Sequence, residues 1–417
     1  MIVKESSLIK NIFYLIILKG GNLIIPLITY PYLVRVLGVE GYGFLGYGLA
    51  IHQYINQLSD YSLPLYASRE ISINRRNHFD VKTIFSNSIF VKIFNSLIIS
   101  IIFLVCVSKE SFLVVLILSL ASIVQSLSSP WYFQGVEKIK NISIISLVPR
   151  LLFVISIFML VDSKDDIIIV AFLYLMVSML TSLISVYYLY QDRMFPTLRP
   201  TYIDVSSIYK NGLNMFIGLF FVMFYSVATP IIMKELTSNY EIGLFLIVEK
   251  IRVAVLGIFT IIGQAIYPRL SKEFSESFYK GRVIFIKVFL CKVLISSFCA
   301  FFIFLFSDQI IKVLFGQSYL VVSEYLKYIS VTIVMVISSY SLSSYFLLPN
   351  RHEKIYRNIP ILGSLLHVIL LFLFVPELGA VGAIYSIIIV ELLVFILNLT
   401  AVFYFWSAKH KGDKLGV

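Results

Sequence analysis

The sequence predicts an all-α membrane protein in which twelve transmembrane helices take up almost the whole chain. Hydrophobic residues make up 59% of the 417 residues and charged residues only 14%, far from the composition of a water-soluble globular protein. Apolar stretches of about 20 residues, the length that crosses the hydrocarbon layer as a helix, recur along the chain. No alternating strand-like pattern accompanies them, so the backbone hydrogen bonds of each span are expected within helices.

The twelve spans follow one another with short connections. The longest connections, 191–211 and 268–282, hold about twenty residues or fewer, whereas a folded catalytic domain needs at least about 50. We therefore expect the function to reside within the membrane helices. The predicted spans are 11–33, 43–66, 84–107, 111–131, 142–161, 167–190, 212–233, 242–267, 283–306, 324–348, 359–376 and 380–406.

The distribution of basic residues indicates how the chain is oriented. With a cytoplasmic N-terminus, 22 of the 34 Lys and Arg residues fall on the cytoplasmic side, 5 on the outer side and 7 within spans, as the positive-inside rule requires. We therefore expect both termini in the cytoplasm. The net charge of +11 is spread over separate short loops without interleaved aromatic residues, which indicates contact with membrane lipid and no binding of nucleic acid.

Cysteine usage and short motifs indicate neither a cofactor nor a metal. Cys106, Cys291 and Cys299 lie within predicted spans. The last two are separated by about 12 Å along one helix, beyond the reach of a disulfide, so we expect three free thiols. No His and Cys residues have the spacing of metal ligands, and no glycine-rich phosphate loop is present.

The two halves of the chain contain a weak internal repeat. The segment PYLVRVL at 31–37, at the end of span one, resembles PIIMKEL at 230–236, at the end of span seven. A Ser-Ser pair followed by Glu-Lys occurs after span four and again after span ten, at 128–138 and 343–354. Both matches fall at an offset of six spans, which predicts two repeats of the same orientation, as in many transporters.

Three motifs carry a resemblance to a known family. PYLVRVLGVEGYG at 31–43, ASREI at 67–71 and PWYFQGVEK at 130–138 are similar to the corresponding segments of Wzx-type polysaccharide flippases. That family belongs to the multidrug/oligosaccharidyl-lipid/polysaccharide exporter superfamily, and the span count and loop pattern match along the whole chain. The chain departs from the family at Lys19, where a neutral polar residue is common, and at Ser62 after Asp60, where glycine is frequent.

The resemblance implies two six-helix bundles, residues 1–200 and 201–417, around a central cavity that opens alternately to each side of the membrane. It also implies the substrate, an undecaprenyl-diphosphate-linked oligosaccharide repeat unit moved from the cytoplasmic to the outer leaflet of the bacterial inner membrane. The product would be a surface polysaccharide such as O-antigen or capsule. A polysaccharide polymerase and a chain-length regulator are the protein partners that the resemblance suggests.

Charged residues inside spans are costly and are therefore the first candidates for a functional site. Lys19, Arg150 and Lys250 lie near the midpoints of their spans, too deep to reach the interface easily. We expect them, with Arg252, to bind the substrate; the alternative is that each pairs with a carboxylate or a carbonyl for structural reasons. For Arg252 an internal ion pair is the favoured interpretation, because Glu249 lies three residues away on one helix face.

Three acidic residues within or beside spans, Asp60, Glu249 and Glu391, are candidates for coupling transport to an ion. A buried carboxylate or imidazole can titrate near neutral pH, so His52 and His367 belong to the same group. The alternative for each is a polar side chain hydrogen-bonded between helices.

Three further lysines, Lys92, Lys292 and Lys327, lie nearer the ends of their predicted spans. We expect their ammonium groups to extend along the helix to the membrane interface.

Two other function classes remain to be considered. A drug or cation antiporter of the multidrug branch has the same span count. A membrane polysaccharide polymerase or glycosyltransferase would need a large outer loop or an acidic metal-binding loop, and neither is present in the sequence. The sequence therefore favours a transporter over an enzyme.

Overall fold

The computed structural model describes residues 5–75, 77–194, 200 and 202–414, and within these ranges every regular element is helical. The chain divides into two compact units between Met223 and Phe224. Four helices of the first unit, with 29, 22, 25 and 25 residues, each have the length of one membrane span. The helices up to that division are α1 (Glu5–Asp60), α2 (Tyr66–Ile73), α3 (His78–Cys106), α4 (Phe112–Gln125), α5 (Pro130–Gly135), α6 (Ile139–Leu160), α7 (Ile167–Gln191) and α8 (Tyr202–Ser226), which runs across it.

The second unit repeats the mixture of long helices and short connecting helices. A turn of 3₁₀-helix at Gln317–Tyr319 precedes α13, and a turn of π-helix at Ser343–Leu347 follows it. The remaining helices are α9 (Thr229–Leu236), α10 (Asn239–Glu276), α11 (Phe278–Leu305), α12 (Ser307–Leu314), α13 (Val321–Leu342) and α14 (Glu353–Lys414).

The first and last helices each contain two of the predicted spans. α1 has 56 residues and α14 has 62, and each is interrupted at one glycine with positive φ: Gly38 at 72° and Gly379 at 55°. A side chain is strained in that region of φ, so glycine suits both breaks. Because α4 with α5 forms one span and each of the other long helices forms one, the twelve predicted spans all correspond to helices.

Eight helices in the described part of the chain are long and apolar enough to cross a membrane, the two double-length helices among them. Spans seven and eight correspond to α8 and α10, which contain side chains outside the described residues. Cys106, Cys291 and Cys299 are free thiols, as predicted.

Two of the three motifs on which the resemblance rests pack against each other in the first unit. The motif at 67–71 forms part of α2, and the motif at 130–138 forms α5 and the turn after it. A Cβ on Gly135 would lie 2.8 Å from the backbone oxygen of Ser68 and equally close to Ile71, so only glycine permits this contact. Trp131 and Phe133 are buried beside it, which gives the motifs a structural role.

Polar side chains connect the segment 130–138 to the end of α7. Asp192, just after α7, accepts a hydrogen bond from the Tyr132 hydroxyl at 3.1 Å and forms an ion pair with Lys138. Arg75, after α2, forms a further ion pair with Glu137 at 2.9 Å. These contacts connect α2, α5 and α7 at one end of the first unit.

Candidate functional site

A group of buried charges lies in the second unit, on α10 and α14. Glu249 and Arg252 are one helical turn apart, and the guanidinium donates from Nε to Oε2 at 2.7 Å and from Nη2 to Oε1 at 2.8 Å. This confirms the ion pair that the three-residue spacing predicts. Both side chains are buried, and such two-point pairing fixes the orientation of the guanidinium.

A second carboxylate approaches the same guanidinium from α14. Glu391 Oε1 lies 3.9 Å from Arg252 Nη1, and the residue is 3% exposed. On the same helix, His367 Nε2 lies 3.0 Å from the Thr229 hydroxyl oxygen and is fully buried. The second unit therefore gathers two carboxylates, one guanidinium and one imidazole in its interior. The sequence indicates all four residues and the pairing of Glu249 with Arg252, but not that Glu391 and His367 lie beside that pair.

A different arrangement of charge occurs in the first unit. The ammonium of Lys92, on α3, lies 2.8 Å from Asp60 Oδ1 at the end of α1 and donates to the Ser128 carbonyl at 2.9 Å. Lys92 is 5% exposed, so the expectation that it extends to the interface is wrong. It stays inside because a carboxylate and a carbonyl compensate the ammonium there.

The second unit has a buried lysine with aromatic neighbours. Lys292, on α11, donates to the Tyr345 hydroxyl at 3.0 Å, and its nitrogen lies 4.8 Å from the centre of that ring and 5.5 Å from the centre of Tyr340. The residue is 4% exposed, so the interface expectation is wrong here too. Aromatic faces attract a cation, which gives the ammonium a favourable place inside the unit. Lys327, by contrast, is partly exposed.

Arg150 is an exposed cation on α6, in the first unit. It lies near the middle of α6, directly after Pro149, and its side chain is accessible. Tyr30 and Tyr174 are close enough to interact with it electrostatically. Tyrosine rings combine an apolar face with a hydroxyl, so the surface around Arg150 offers both charge and flat amphipathic contacts. The sequence indicates Arg150 but not these tyrosines, whose only signal is their position inside apolar spans.

The other predicted site residues differ in their surroundings within the described part of the chain. The side chain of Lys19 lies outside the described residues. Lys250 is partly buried on α10 and has an electrostatic or hydrogen-bonding partner of its own. His52 Nδ1 lies 2.7 Å from the Ser122 hydroxyl and 3.0 Å from the Leu118 carbonyl, the arrangement expected of a polar side chain bonded between helices. In the described part of the chain no group of His, Cys, Asp and Glu is placed to hold a metal ion.

Comparison with known proteins finds one matching family and two similar curated proteins. A family model described as polysaccharide biosynthesis protein matches residues 8–274. A curated protein of Escherichia coli strain K12 named "Putative O-antigen transporter" is 28% identical over 408 residues, which cover 94% of this chain and 96% of that protein. A protein of the same name from Shigella dysenteriae is 28% identical over 398 residues, with 94% and 99% covered.

Solved structures share the fold at low sequence identity. An inward-facing multidrug resistance transporter of the MATE family, within the MOP superfamily, superposes with a TM-score of 0.70 at 15% identity, covering 93% of this chain and 99% of that chain. The lipid II flippase MurJ in an inward closed conformation superposes with a TM-score of 0.72 at 12% identity, covering 94% and 87%. The two scores are nearly equal, so the fold alone does not separate a drug transporter from a lipid-linked sugar flippase.

Proposed function

Since the chain belongs to the family of polysaccharide biosynthesis proteins and its resemblance to Wzx-type flippases is confirmed, we propose that it flips undecaprenyl-diphosphate-linked oligosaccharide repeat units. Movement is from the cytoplasmic to the outer leaflet by alternating access, in the synthesis of a surface polysaccharide. The observation that carries the proposal is the match over 94% of the chain to relatives named as O-antigen transporters. The length of that match supports a shared transport function for the whole chain.

Physical chemistry supports a polar route through such a protein. A diphosphate and a sugar chain each lose hydration in hydrocarbon at a cost of several kcal/mol per unsatisfied group. A cation facing lipid at mid-bilayer costs at least about 2.5 kcal/mol. An accessible guanidinium near the middle of α6 is therefore better explained by a polar space than by lipid. Arg150 is our first candidate for a substrate contact, with Lys19 and Lys250 as further candidates.

The role of Arg252 differs from that of Arg150. Its guanidinium makes two hydrogen bonds to Glu249 and faces Glu391, which leaves less of its hydrogen-bonding capacity for an anionic substrate. We assign Arg252 to the organisation of the charge cluster in the second unit, in agreement with the ion-pair interpretation of the sequence.

The topology of the proposed flippase follows from its basic loops. We place the chain in the bacterial inner membrane with both termini in the cytoplasm, where the polyprenyl-linked substrate is made. Reporter fusions to each terminus test this placement: a reporter that is active only outside the membrane should be silent at both ends, and activity at either end would contradict it. A polysaccharide polymerase and a chain-length regulator remain the expected protein partners.

The experiment that tests the function is deletion of the gene in the strain that carries it. Surface polysaccharide should be lost, and lipid-linked repeat units should accumulate in the cytoplasmic leaflet. The native gene should restore export.

Arg150→Gln should lower export about tenfold or more, since a hydrogen bond to a charged group is worth about 1.5–3 kcal/mol, and Arg150→Lys should be milder. Lys250→Gln and Lys250→Arg form a second pair of the same kind.

The matched control is Lys109→Gln. It neutralises an exposed cation in the connection between α3 and α4, and this variant should export normally. Normal surface polysaccharide in the deletion strain would refute the flippase function. A deletion strain with altered drug susceptibility and unchanged polysaccharide would support the multidrug antiporter instead.

A further inference from the structure

The charge cluster of the second unit contains one more acid than base. Glu249 and Glu391 share the single guanidinium of Arg252, and Glu249 uses both of its oxygens in hydrogen bonds to it. Glu391 approaches only to 3.9 Å, beyond hydrogen-bonding distance. Three ionised groups would leave one uncompensated negative charge among helices that span the membrane.

An uncompensated charge is unfavourable in this position. Glu391 is 3% exposed, and the described residues donate no hydrogen bond to its carboxyl group. A buried carboxylate without hydrogen-bond donors and with an incompletely paired charge favours its neutral form. Two carboxylates that share one site and one partner cannot both be ionised at low cost.

The neighbouring groups indicate which residue of the cluster would bind the proton that compensates the extra negative charge. The charged groups that act on Glu391 are Arg252 and Glu249 of α10. His367, on the same helix as Glu391, is close enough to Arg252 for the two to interact electrostatically, so a proton on the imidazole would be repelled by the like charge of the guanidinium. α9 contributes the Thr229 hydroxyl to His367, and within the described residues neither α9 nor α13 places a charged group in contact with Glu391. The carboxyl of Glu391 is thus the best place in the cluster for a proton.

We propose that Glu391 is a proton-binding site of the second unit: its carboxyl group is protonated while Arg252 is paired with Glu249, and it releases the proton when Arg252 turns toward it. The step moves one proton from the Glu391 oxygen to water and transfers a guanidinium hydrogen bond from one carboxylate to the other. No further reactant is needed for this exchange.

A proton fits this site better than an alkali cation does. A metal ion bound to Glu391 would sit close to the guanidinium, a like charge 3.9 Å from the carboxyl oxygen. It would also find both oxygens of Glu249 already committed to Arg252. A proton needs one oxygen only and adds no bulk.

If the proposed flippase function holds, proton binding at Glu391 would couple export to the proton gradient across the membrane. A protonation change that alters the pairing of Arg252 would link α10 to α14 differently in the two charge states. Export driven in this way should depend on the pH difference across the membrane. This consequence rests on the proposed function, whereas the protonation of Glu391 does not.

Infrared spectroscopy of the purified full-length protein in lipid nanodiscs, compared between the native protein and its variants, tests the protonation of Glu391 directly. Near neutral pH the native protein should show the carbonyl stretch of one buried protonated carboxyl group. The band should disappear in Glu391→Gln, whose amide imitates the neutral acid and preserves the fold. It should also disappear in Glu249→Gln, because Arg252 is then left to Glu391 and stabilises the ionised form. The band should remain in Glu377→Gln, which neutralises an exposed carboxylate of the same helix.

Two outcomes would overturn the proposal. The first is a native protein without the band, or a band that survives in Glu391→Gln. The second is a band that disappears when sodium chloride replaces choline chloride at constant pH, which would assign an alkali cation to the site. Export assays separate this question from the flippase function. A native chain that exports nothing contradicts the function and leaves the spectroscopic result to decide the proton site.

Discussion

Two buried lysines show how the two units solve the same electrostatic problem differently. Lys92 lies at the middle of α3 and Lys292 at the middle of α11, each in the third predicted span of its half. Lys92 faces Asp60 at 2.8 Å, whereas Lys292 faces the hydroxyl of Tyr345 and two aromatic rings. A carboxylate compensates the ammonium in one unit and polar aromatic groups do so in the other.

The difference has an energetic consequence. An ion pair makes each partner depend on the other, because the loss of one leaves a charge without compensation. A cation held by neutral tyrosines leaves no charge behind when it is removed. Neutral substitutions should therefore cost more stability at the ion pair of Lys92 than at Lys292, although both lysines are almost completely buried.

The largest effect should come from Asp60→Asn. It leaves the ammonium of Lys92, which is 5% exposed, without its carboxylate. Removal of one partner of a buried pair costs about 3–5 kcal/mol in the free energy of unfolding. Lys92→Met should cost less, since the side chain of Asp60 is 34% exposed and water can compensate the carboxylate. Chemical unfolding of the detergent-purified variants measures both changes.

The double variant Asp60→Asn with Lys92→Met is the internal control for this pair. It removes both charges and should recover most of the stability lost in Asp60→Asn, because no unpaired charge remains. Strictly additive losses in the double variant would show that the ion pair does not stabilise the first unit.

A smaller effect is expected for Lys292→Met. The substitution removes one hydrogen bond and the attraction of two rings, but it also removes the cost of burying an ammonium. The net change in the free energy of unfolding should be within about 1 kcal/mol, and Tyr345→Phe should cost about as much through the lost hydrogen bond. A loss for Lys292→Met as large as that for Asp60→Asn would mean that an unrecognised anion pairs with Lys292.

The spans and one ion pair could be predicted from the sequence because they depend on local information. Apolar length sets the spans, and the three-residue spacing sets the contact of Glu249 with Arg252. The partners of Lys92 and Lys292 could not be predicted, because Asp60 and Tyr345 reach them only through packing between helices. The error about their depth has a similar origin: α3 begins at His78 and α11 at Phe278, earlier than the apolar spans at 84 and 283, so both lysines lie further inside than apolarity suggests.

The smallest effect should come from a third lysine, which pairs at the surface. Lys327 lies 3.6 Å from Asp308 Oδ1, and both side chains are accessible to water. A hydrogen bond from the Ser323 side chain, and then the charge of Lys327, hold the pKa of the Asp308 carboxyl below its usual value. Water and salt screen such a pair, so Asp308→Asn should change the unfolding midpoint less than any variant above.

The sign of the pH dependence identifies this small contribution. A carboxyl whose pKa is lower in the folded state stabilises the fold above its unfolded pKa, near 4 for aspartate, and loses that contribution as the pH falls through the folded pKa. The native protein should therefore exceed Asp308→Asn in stability at neutral pH, and the gap should close below about pH 4. High salt should narrow the gap at neutral pH but reduce the effect of Asp60→Asn far less, since screening acts on exposed pairs more than on buried ones. A gap that persists unchanged in acid would mean that Asp308 contributes through packing and not through its charge.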